Sequence, residues 1–265
     1  MGGRAFHTRG YTAPRLLPRL YTTLSLDLQA KLRTVYPYVV CPPSVLEKPD
    51  HGDIDFLVVL DPDRPAVHPG EVADLLGAKD HISSGPHASS YAFVHPIEGG
   101  RSIVQVDIKV CSAETLGWET FMASYSDVGM MLAYLVRPVG FKITDKGFHL
   151  RIPSDVPGGR EGTTFLSHDE NEVMDFLGLN PAVFHKGFCA ELEVFQFLLS
   201  GHVGYGRPDL NGLRKKAKVL VKKRPVFKGF VEGYLTKGRE EEEVGKGWTR
   251  EEAQKRARVW FGLDC

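Results

Sequence analysis

The clearest pattern of polar and apolar positions along the chain is an apolar run preceded by two aspartates one residue apart. Residues 53–60 read Asp-Ile-Asp-Phe-Leu-Val-Val-Leu. A short, continuous apolar run of this length is typical of a buried strand. Because side chains alternate along a strand, Asp53 and Asp55 are predicted to share one face at its start.

A second strand is predicted where apolar and polar residues alternate strictly after Ile103. One face carries Val104, Val106, Ile108 and Val110, and the other carries Gln105, Asp107 and Lys109, with Ile103 as the one apolar residue there. The glycine-containing segment 96–100 predicts a hairpin turn that joins this strand to an apolar run at 90–95. Asp107 is therefore a third carboxylate, in a strand that can pair beside the first.

Helical spacing of apolar residues predicts helices around these strands, the first at 23–35 and ended by Pro37. Two stretches, Ser167–Glu170 and Thr249–Glu252, read as capping boxes that each open a helix. The segment 151–164 is rich in proline and glycine, which predicts a loop or hairpin. The whole pattern indicates an α+β fold with a small mixed sheet and a helical C-terminal region.

Composition narrows the class of protein. The chain has 265 residues, 42% apolar and 25% charged, with 33 basic and 33 acidic residues, so its net charge indicates no particular partner. Four cysteines without a Cys-x-x-Cys argue against a zinc site or a disulfide scaffold and favour a reducing compartment inside the cell, the nucleus or cytoplasm. No apolar run has the length of a membrane span, so no membrane partner is expected.

Two stretches are strongly basic. The first 26 residues contain four arginines and no acid, which is typical either of a mitochondrial targeting segment or of an ordered basic arm. A helix predicted from Asn211 to Pro225 has a basic outer face, and such a face can follow a phosphate backbone or simply be solvated and offset by Glu240–Glu243. The candidate nucleic-acid contacts on it are Lys215, Lys218, Lys222, Lys223 and Arg224.

The three aspartates are a candidate site for a divalent cation. Carboxylates that share one face repel each other unless a proton or a cation lies between them. Mg²⁺ (or Mn²⁺) prefers oxygen ligands and is commonly held by one or two carboxylates together with substrate phosphates. An isolated Asp-x-Asp can equally be the polar start of a strand, and it is Asp107 that favours the metal interpretation.

The order of these features resembles the palm of the nucleotidyltransferases related to DNA polymerase β. The resemblance is carried by Gly52–Val58, by the helix that follows and by the hairpin that bears Asp107. Segments within 118–150 and at 171–179 are similar to the thumb of family X polymerases. The implied layout is a basic arm and helix at 1–36, a palm at 37–124, a thumb-like subdomain at 125–188 and a helical region at 189–265.

The resemblance implies transfer of a nucleotide from an NTP or dNTP to a hydroxyl acceptor at a DNA or RNA end, by a two-metal mechanism. It implies that Asp53 and Asp55 bridge two cations. It also implies that Asp107 completes the coordination of the cation at the acceptor hydroxyl and favours deprotonation of that hydroxyl. Gly52 and Ser44 are the implied nucleotide-binding residues. Gly52 allows a phosphate to approach the backbone closely, and Ser44 keeps a hydroxyl and an amide where the family has a Gly-Ser pair.

The chain departs from the family at several positions. Pro43 stands where the family has the glycine of the Gly-Ser pair, and proline has no N–H to donate. Gly129 and Ala133 align with the asparagine and arginine that read the nascent base pair. Two alternatives therefore stay open. One is a non-catalytic nucleic-acid- or protein-binding module on a nucleotidyltransferase scaffold, and the other is an enzyme that attaches a nucleotide to a protein.

Overall fold

The structure is a computed structural model that describes residues 3–63, 67–152, 161–203, 221–222, 224–235 and 247–263. The chain divides into two compact units. Unit 1 lies within residues 1–42 and 47–116, and unit 2 lies within residues 43–46 and 117–265. Each unit has its own apolar core.

Unit 1 is a five-stranded mixed sheet with two helices. The helices are α1 (Pro18–Leu32) and α2 (Pro69–Leu76), and the strands are β1 (Tyr38–Val40), β2 (Ile54–Val59), β3 (Asp80–Ser83), β4 (Ala88–Val94) and β5 (Ile103–Cys111). The strand order is β1-β2-β5-β4-β3. The central pair β2 and β5 is parallel, and the other neighbouring pairs are antiparallel.

The two faces of this sheet have different surroundings. One face packs against α1 and α2 through a single large cluster that includes Leu32, Ile54, Phe56, Val72, Leu76, Val106 and Ile108. The other face carries two small clusters, one formed by Phe6, Ala92 and Ile103 and the other by Leu57, Val59 and Cys111. The alternation predicted for β5 is observed, and it places Gln105 and Asp107 between the two small clusters.

Residues 3–17 form an N-terminal arm that packs on unit 1. Thr12 forms a parallel bridge with Ser102, and Leu16 exchanges backbone hydrogen bonds with His51. The phenyl ring of Phe6 is buried in the small cluster described above. Two of the basic residues in the arm are paired with acids, Arg9 with Asp80 and Arg15 with Asp50.

Unit 2 combines a three-stranded antiparallel sheet with helices. Its elements are α3 (Leu116–Ala123), α4 (Val128–Val136), β6 (Phe141–Thr144), β7 (Gly147–Ile152), β8 (Gly162–Ser167), α5 (Glu170–Leu177), α6 (Pro181–Lys186), α7 (Glu191–Ser200), α8 (Pro225–Lys228), a π-helical segment (Gly229–Tyr234) and α9 (Arg250–Trp260). The strand order is β6-β7-β8. The core is rich in aromatic side chains, among them Trp118, Phe121, Phe141, Phe148, Phe176 and Phe230. In the part of the chain that the structure describes, no helix has both the length and the apolar character needed to cross a membrane.

The predicted α+β class with a small mixed sheet is confirmed, and the differences from prediction are local. The first helix begins at Pro18 instead of residue 23, because proline is well suited to the first helical turn. Strand β3 was not predicted, since only one of its four residues is apolar and three are only partly buried.

One of the two predicted capping boxes is wrong. The α5 helix is capped by Asp169, whose side chain accepts hydrogen bonds from the N–H groups of Asn171 and Glu172. Ser167 lies at the end of β8 instead, where its hydroxyl donates to Glu172. A carboxylate is the stronger acceptor for a helix N-terminus, which explains why the cap lies two residues later. The predicted box at Thr249 and Glu252 is confirmed.

The close packing of α3 against α4 gives a stability prediction for unit 2. A Cβ on Gly129 would lie 2.7 Å from the main-chain oxygen of Met122, which cannot move aside as a side-chain end can. We expect Gly129→Ala to lower the free energy of unfolding by about 1–3 kcal/mol.

The matched control is Gly233→Ala, because Gly233 is also helical in unit 2 and a Cβ there meets nothing within 4 Å. We expect a change within about 1 kcal/mol of wild type, on the stabilising side if helix propensity dominates. Denaturant unfolding of both variants measures the difference. Equal stability of the two variants would contradict the close α3–α4 approach.

Candidate metal centre

Three carboxylates meet on one face of the sheet in unit 1. Asp53 precedes β2 by one residue, Asp55 lies in β2, and Asp107 lies in β5 directly opposite Asp55 in the parallel register. Carboxylate oxygens of the three residues all lie within 4.8 Å of one another. The structure therefore brings together the three aspartates that the sequence predicts as a group.

The apolar face of the sheet dictates this arrangement. Ile54, Phe56 and Val58 are buried in the large cluster on one side of β2, so Asp53 and Asp55 must point to the other side. A shift of one residue in the pairing would turn either the apolar set or the aspartates to the wrong face, which fixes the register strongly. The position of the carboxylates is thus a consequence of core packing.

Asp107 sits in an environment that disfavours its negative charge. Burial raises the pKa of Asp107, hydrogen bonds from the side chains of Ser90 and Gln105 lower it, and the charge of Asp53 raises it again. The net result is a pKa above the ordinary value of an aspartate. A positive charge between the carboxylates would offset both the burial and the repulsion.

Besides Ser90, two residues outside the predicted site donate hydrogen bonds to this group. The buried Gln105 donates from Nε2 to both carboxylate oxygens of Asp107, at 3.0 and 2.8 Å. The main-chain N–H of Gly3 donates to Asp53 at 3.2 Å. The sequence contains one indication that Gln105 is buried, because Ile103 is an apolar residue on the same, otherwise polar, face of β5. Nothing in the sequence indicates that Gly3 lies beside Asp53.

The imidazole of His51, two residues before Asp53, adds no positive charge near pH 7. The imidazole ring of His51 stacks on the Tyr21 ring with centroids 3.6 Å apart. Burial lowers the pKa of His51 to about 4, with the nearby charges of Lys48 and Arg15 acting in the same direction and Asp50 opposing them. The imidazole of His51 is therefore neutral near pH 7.

The donor set fits a hard divalent cation. All three groups are carboxylates, which are the oxygen donors that Mg²⁺ and Mn²⁺ prefer. Their mutual distances allow one ion to be shared between them. The pKa of Asp107 is raised chiefly by burial and further by the charge of Asp53, and a bound cation would offset both. Asp53, Asp55 and Asp107 are the residues that would hold it.

The two residues implied as nucleotide contacts lie in different units. Gly52 is buried in unit 1, and its carbonyl oxygen is 2.8 Å from where a Cβ of Gly3 would be, so the chain's own arm makes a close approach there. Ser44 belongs to the segment Pro43–Leu46, which packs with unit 2. The Pro43 oxygen in that segment accepts a hydrogen bond from the N–H of Tyr125 at 2.7 Å. A role of either residue in nucleotide binding stays a prediction.

The predicted basic helix lies mostly outside the described residues, and this applies to Lys215, Lys218 and Lys223. Lys222 is described and exposed. The guanidinium of Arg224 binds the buried carboxylate of Asp127 at 2.7 Å. Arg224 therefore has a structural partner within unit 2, and the contacts of this basic stretch with nucleic acid stay predictions.

The chain is similar to two solved structures of Leishmania infantum polymerase beta, a ternary P/T complex and a ternary gap complex. Identity is 13% and the TM-score 0.41 in both cases. Each match covers 54% of this chain. It covers 60% of the polymerase chain in the P/T complex and 53% in the gap complex, so this chain spans less than two thirds of the length of each of these neighbours. No protein-family model and no curated protein matches the chain.

The carboxylate cluster predicts that unit 1 is stabilised by divalent cations. We expect Mn²⁺ at about 100 times its dissociation constant to raise the free energy of unfolding by about 2.7 kcal/mol. Asp55→Asn should remove most of this gain in the free energy of unfolding.

Asp27→Asn is the control for this experiment, since Asp27 is an exposed residue of α1 that pairs with Lys31. It should keep the full response to Mn²⁺. Thermal unfolding with and without Mn²⁺ measures the effect. An unresponsive wild-type protein, or a full response in Asp55→Asn, would contradict the cation site.

Proposed function

We propose that the chain is a nucleotidyltransferase that moves a nucleotide from an NTP or dNTP to a hydroxyl acceptor at a nucleic-acid end. The observation that carries the proposal is the convergence of three carboxylates within 4.8 Å on two adjacent parallel strands. A centre built only of carboxylates suits phosphoryl and nucleotidyl transfer, where the protein contributes positioning and charge neutralisation and forms no covalent intermediate. The family resemblance given by Gly52–Val58 and the Asp107 hairpin points to the same chemistry.

In this proposal each carboxylate has a distinct task. Asp53 and Asp55 would hold the cations at the start of β2, where the buried strand keeps both side chains on one face. The chemistry that divalent cations would supply there is neutralisation of the triphosphate and a lower pKa of the attacking hydroxyl. Asp107 lies on the acceptor side of the centre, and its carboxylate favours loss of the hydroxyl proton as the new P–O bond forms and pyrophosphate leaves.

A nucleic-acid acceptor is supported by charge. The segment 211–224 carries seven basic residues and no acid, which suits contacts with a phosphate backbone. A protein side chain as acceptor would have no evident use for such a segment. We therefore place the end of a DNA or RNA strand first among acceptors.

A second function is favoured by one specific observation. Pro43 has no N–H, and its oxygen is bonded to Tyr125, so this residue cannot donate to a triphosphate in the way the family's glycine does. On this alternative the chain is a non-catalytic nucleic-acid- or protein-binding module. Calorimetry with Mg²⁺ and each NTP separates the two, because the alternative predicts no metal-dependent nucleotide binding.

The transfer proposal predicts a metal-dependent activity that depends on the triad. With labelled NTPs and DNA or RNA oligonucleotides, with and without a template strand, we expect incorporation in Mg²⁺ or Mn²⁺ and none in EDTA. Asp53→Asn and Asp107→Asn should each reduce the rate by about a thousandfold or more, because several kcal/mol of charge stabilisation is lost.

The control is again Asp27→Asn, which should transfer at the wild-type rate. Circular dichroism of each variant establishes that the fold is retained. Full activity in either triad variant, with the fold intact, would rule out the assignment.

The basic segment gives a separate prediction about binding. Replacing Lys215, Lys222 and Lys223 together by Gln should weaken binding to an oligonucleotide. It should also reduce the slope of log K against log salt by about 2–3, because three phosphate contacts are lost.

A control variant removes the same charge at Arg19, Lys31 and Arg33, which lie in or just after α1. Its salt slope should equal that of the wild type. Fluorescence anisotropy over a salt series provides the measurement. Equal slopes in all three proteins would remove the basic segment from the binding surface.

A further inference from the structure

The N-terminal arm reaches the candidate metal centre within unit 1. The N–H of Gly3 donates to the Asp53 carboxylate at 3.2 Å, and the N–H of Ala5 donates to the side-chain oxygen of Gln105 at 2.8 Å. Gln105 in turn donates to both oxygens of Asp107. Two of the three candidate ligands are thus held by residues 3–5, one directly and one through a single side chain.

The arm also fixes the orientation of the Gln105 carboxamide. A main-chain N–H can only donate a hydrogen bond, and an ionised carboxylate can only accept one. Gln105 therefore satisfies Ala5 and Asp107 together only with its oxygen toward the arm and its NH₂ group toward the carboxylate. Since Gln105 is only 4% exposed, water does not readily replace either partner.

Close packing at Phe6 and at Gly3 keeps this part of the arm in position. The phenyl ring of Phe6 packs with Ala92 and Ile103 on the same face of the sheet as the triad. Gly3 has a φ of 82°, and a Cβ there would lie 2.8 Å from the Gly52 oxygen. A residue with a side chain is therefore excluded where the arm passes Gly52, both by conformation and by contact.

We propose that residues 3–6 and Gln105 form the outer hydrogen-bonding layer of the metal centre, with Gln105 as the positioning residue for Asp107. The inference rests on the proposed function, because it takes Asp53 and Asp107 as cation ligands. Donors that hold a ligating carboxylate limit its rotation, and loss of such partners commonly weakens metal affinity by about 10–100-fold. The arm is on this view part of the site, although it is remote from the triad in sequence.

The first test displaces the arm by a single substitution. Gly3→Ala should weaken Mn²⁺ binding to the full chain by about 10–100-fold, measured by electron paramagnetic resonance of free Mn²⁺ without nucleotide. Gly10→Ala is the matched control, because Gly10 also has a positive φ of 78° in the arm but a Cβ there meets only the flexible end of Arg101. Its affinity should stay within about twofold of wild type, well below the roughly 10–100-fold loss that removal of an outer partner produces.

The second test changes Gln105 and leaves the arm sequence intact. Gln105→Met should weaken Mn²⁺ binding by about tenfold or more. Gln29→Met is its control, since Gln29 donates one hydrogen bond to the Val39 oxygen in the same unit. Both variants lose a side-chain hydrogen bond and some thermal stability, but only Gln105→Met should lose cation affinity.

The outcomes separate this inference from the proposed function. A wild-type protein that does not bind Mn²⁺ overturns both. A wild-type protein that binds, with Gly3→Ala and Gln105→Met binding equally well, overturns the inference and leaves the function standing. Tighter binding by Gly3→Ala also overturns it, because the arm would then compete with the cation for Asp53. If Gly3→Ala fails to fold, the Gln105→Met and Gln29→Met pair decides.

Discussion

The parallel pairing of β2 with β5 is the interaction on which the candidate centre depends. It sets Asp55 opposite Asp107 and leaves Asp53 at the start of β2, with carboxylate oxygens within 4.8 Å. Three like charges at this distance repel one another, and burial of Asp107 adds to the cost. An arrangement of this kind is retained in a stable fold when a cation, a proton or strong hydrogen bonds offset the repulsion.

The rest of unit 1 holds that pairing in place. The large cluster against α1 and α2 fixes which face of β2 and β5 is apolar, and so fixes where the aspartates point. On the opposite face, two small apolar clusters border the carboxylates, one containing Phe6 and the other Leu57. The polar centre is therefore confined to a short stretch of the sheet, where Gln105, Ser90 and the N-terminal arm donate hydrogen bonds to it.

Local patterns in the sequence predict what depends on neighbouring residues. Side chains in a strand alternate with a period of two, so the spacing of Asp53 and Asp55 predicts that both share one face of β2, and the alternation along β5 predicts that Asp107 lies on its polar face. The parallel register that brings the two strands together is seen only in the structure. The Thr249 cap is equally local. The capping of α5 depends on more than the local motif. Ser167 matches the motif but lies in strand β8, so Asp169 caps the helix instead.

Contacts between residues far apart in the sequence can hardly be predicted from the pattern of apolar and polar positions. The hydrogen bonds of Gly3 and Ala5 span 50 and 100 residues and use main-chain N–H groups, which every residue except proline has. Only Ile103, apolar on a polar face, indicates that something covers that end of β5. Arg224 is similar, because its sequence context suggests a solvated basic face while its guanidinium binds the buried Asp127.

The central claim is that the three aspartates bind divalent cations together with a nucleoside triphosphate. Anomalous diffraction from crystals grown with Mn²⁺ and a non-hydrolysable NTP analogue tests it most directly. We expect manganese peaks within coordination distance of oxygens of Asp53, Asp55 and Asp107, in contact with the triphosphate. Manganese and nucleotide bound elsewhere, or no ordered manganese at these carboxylates, would contradict it.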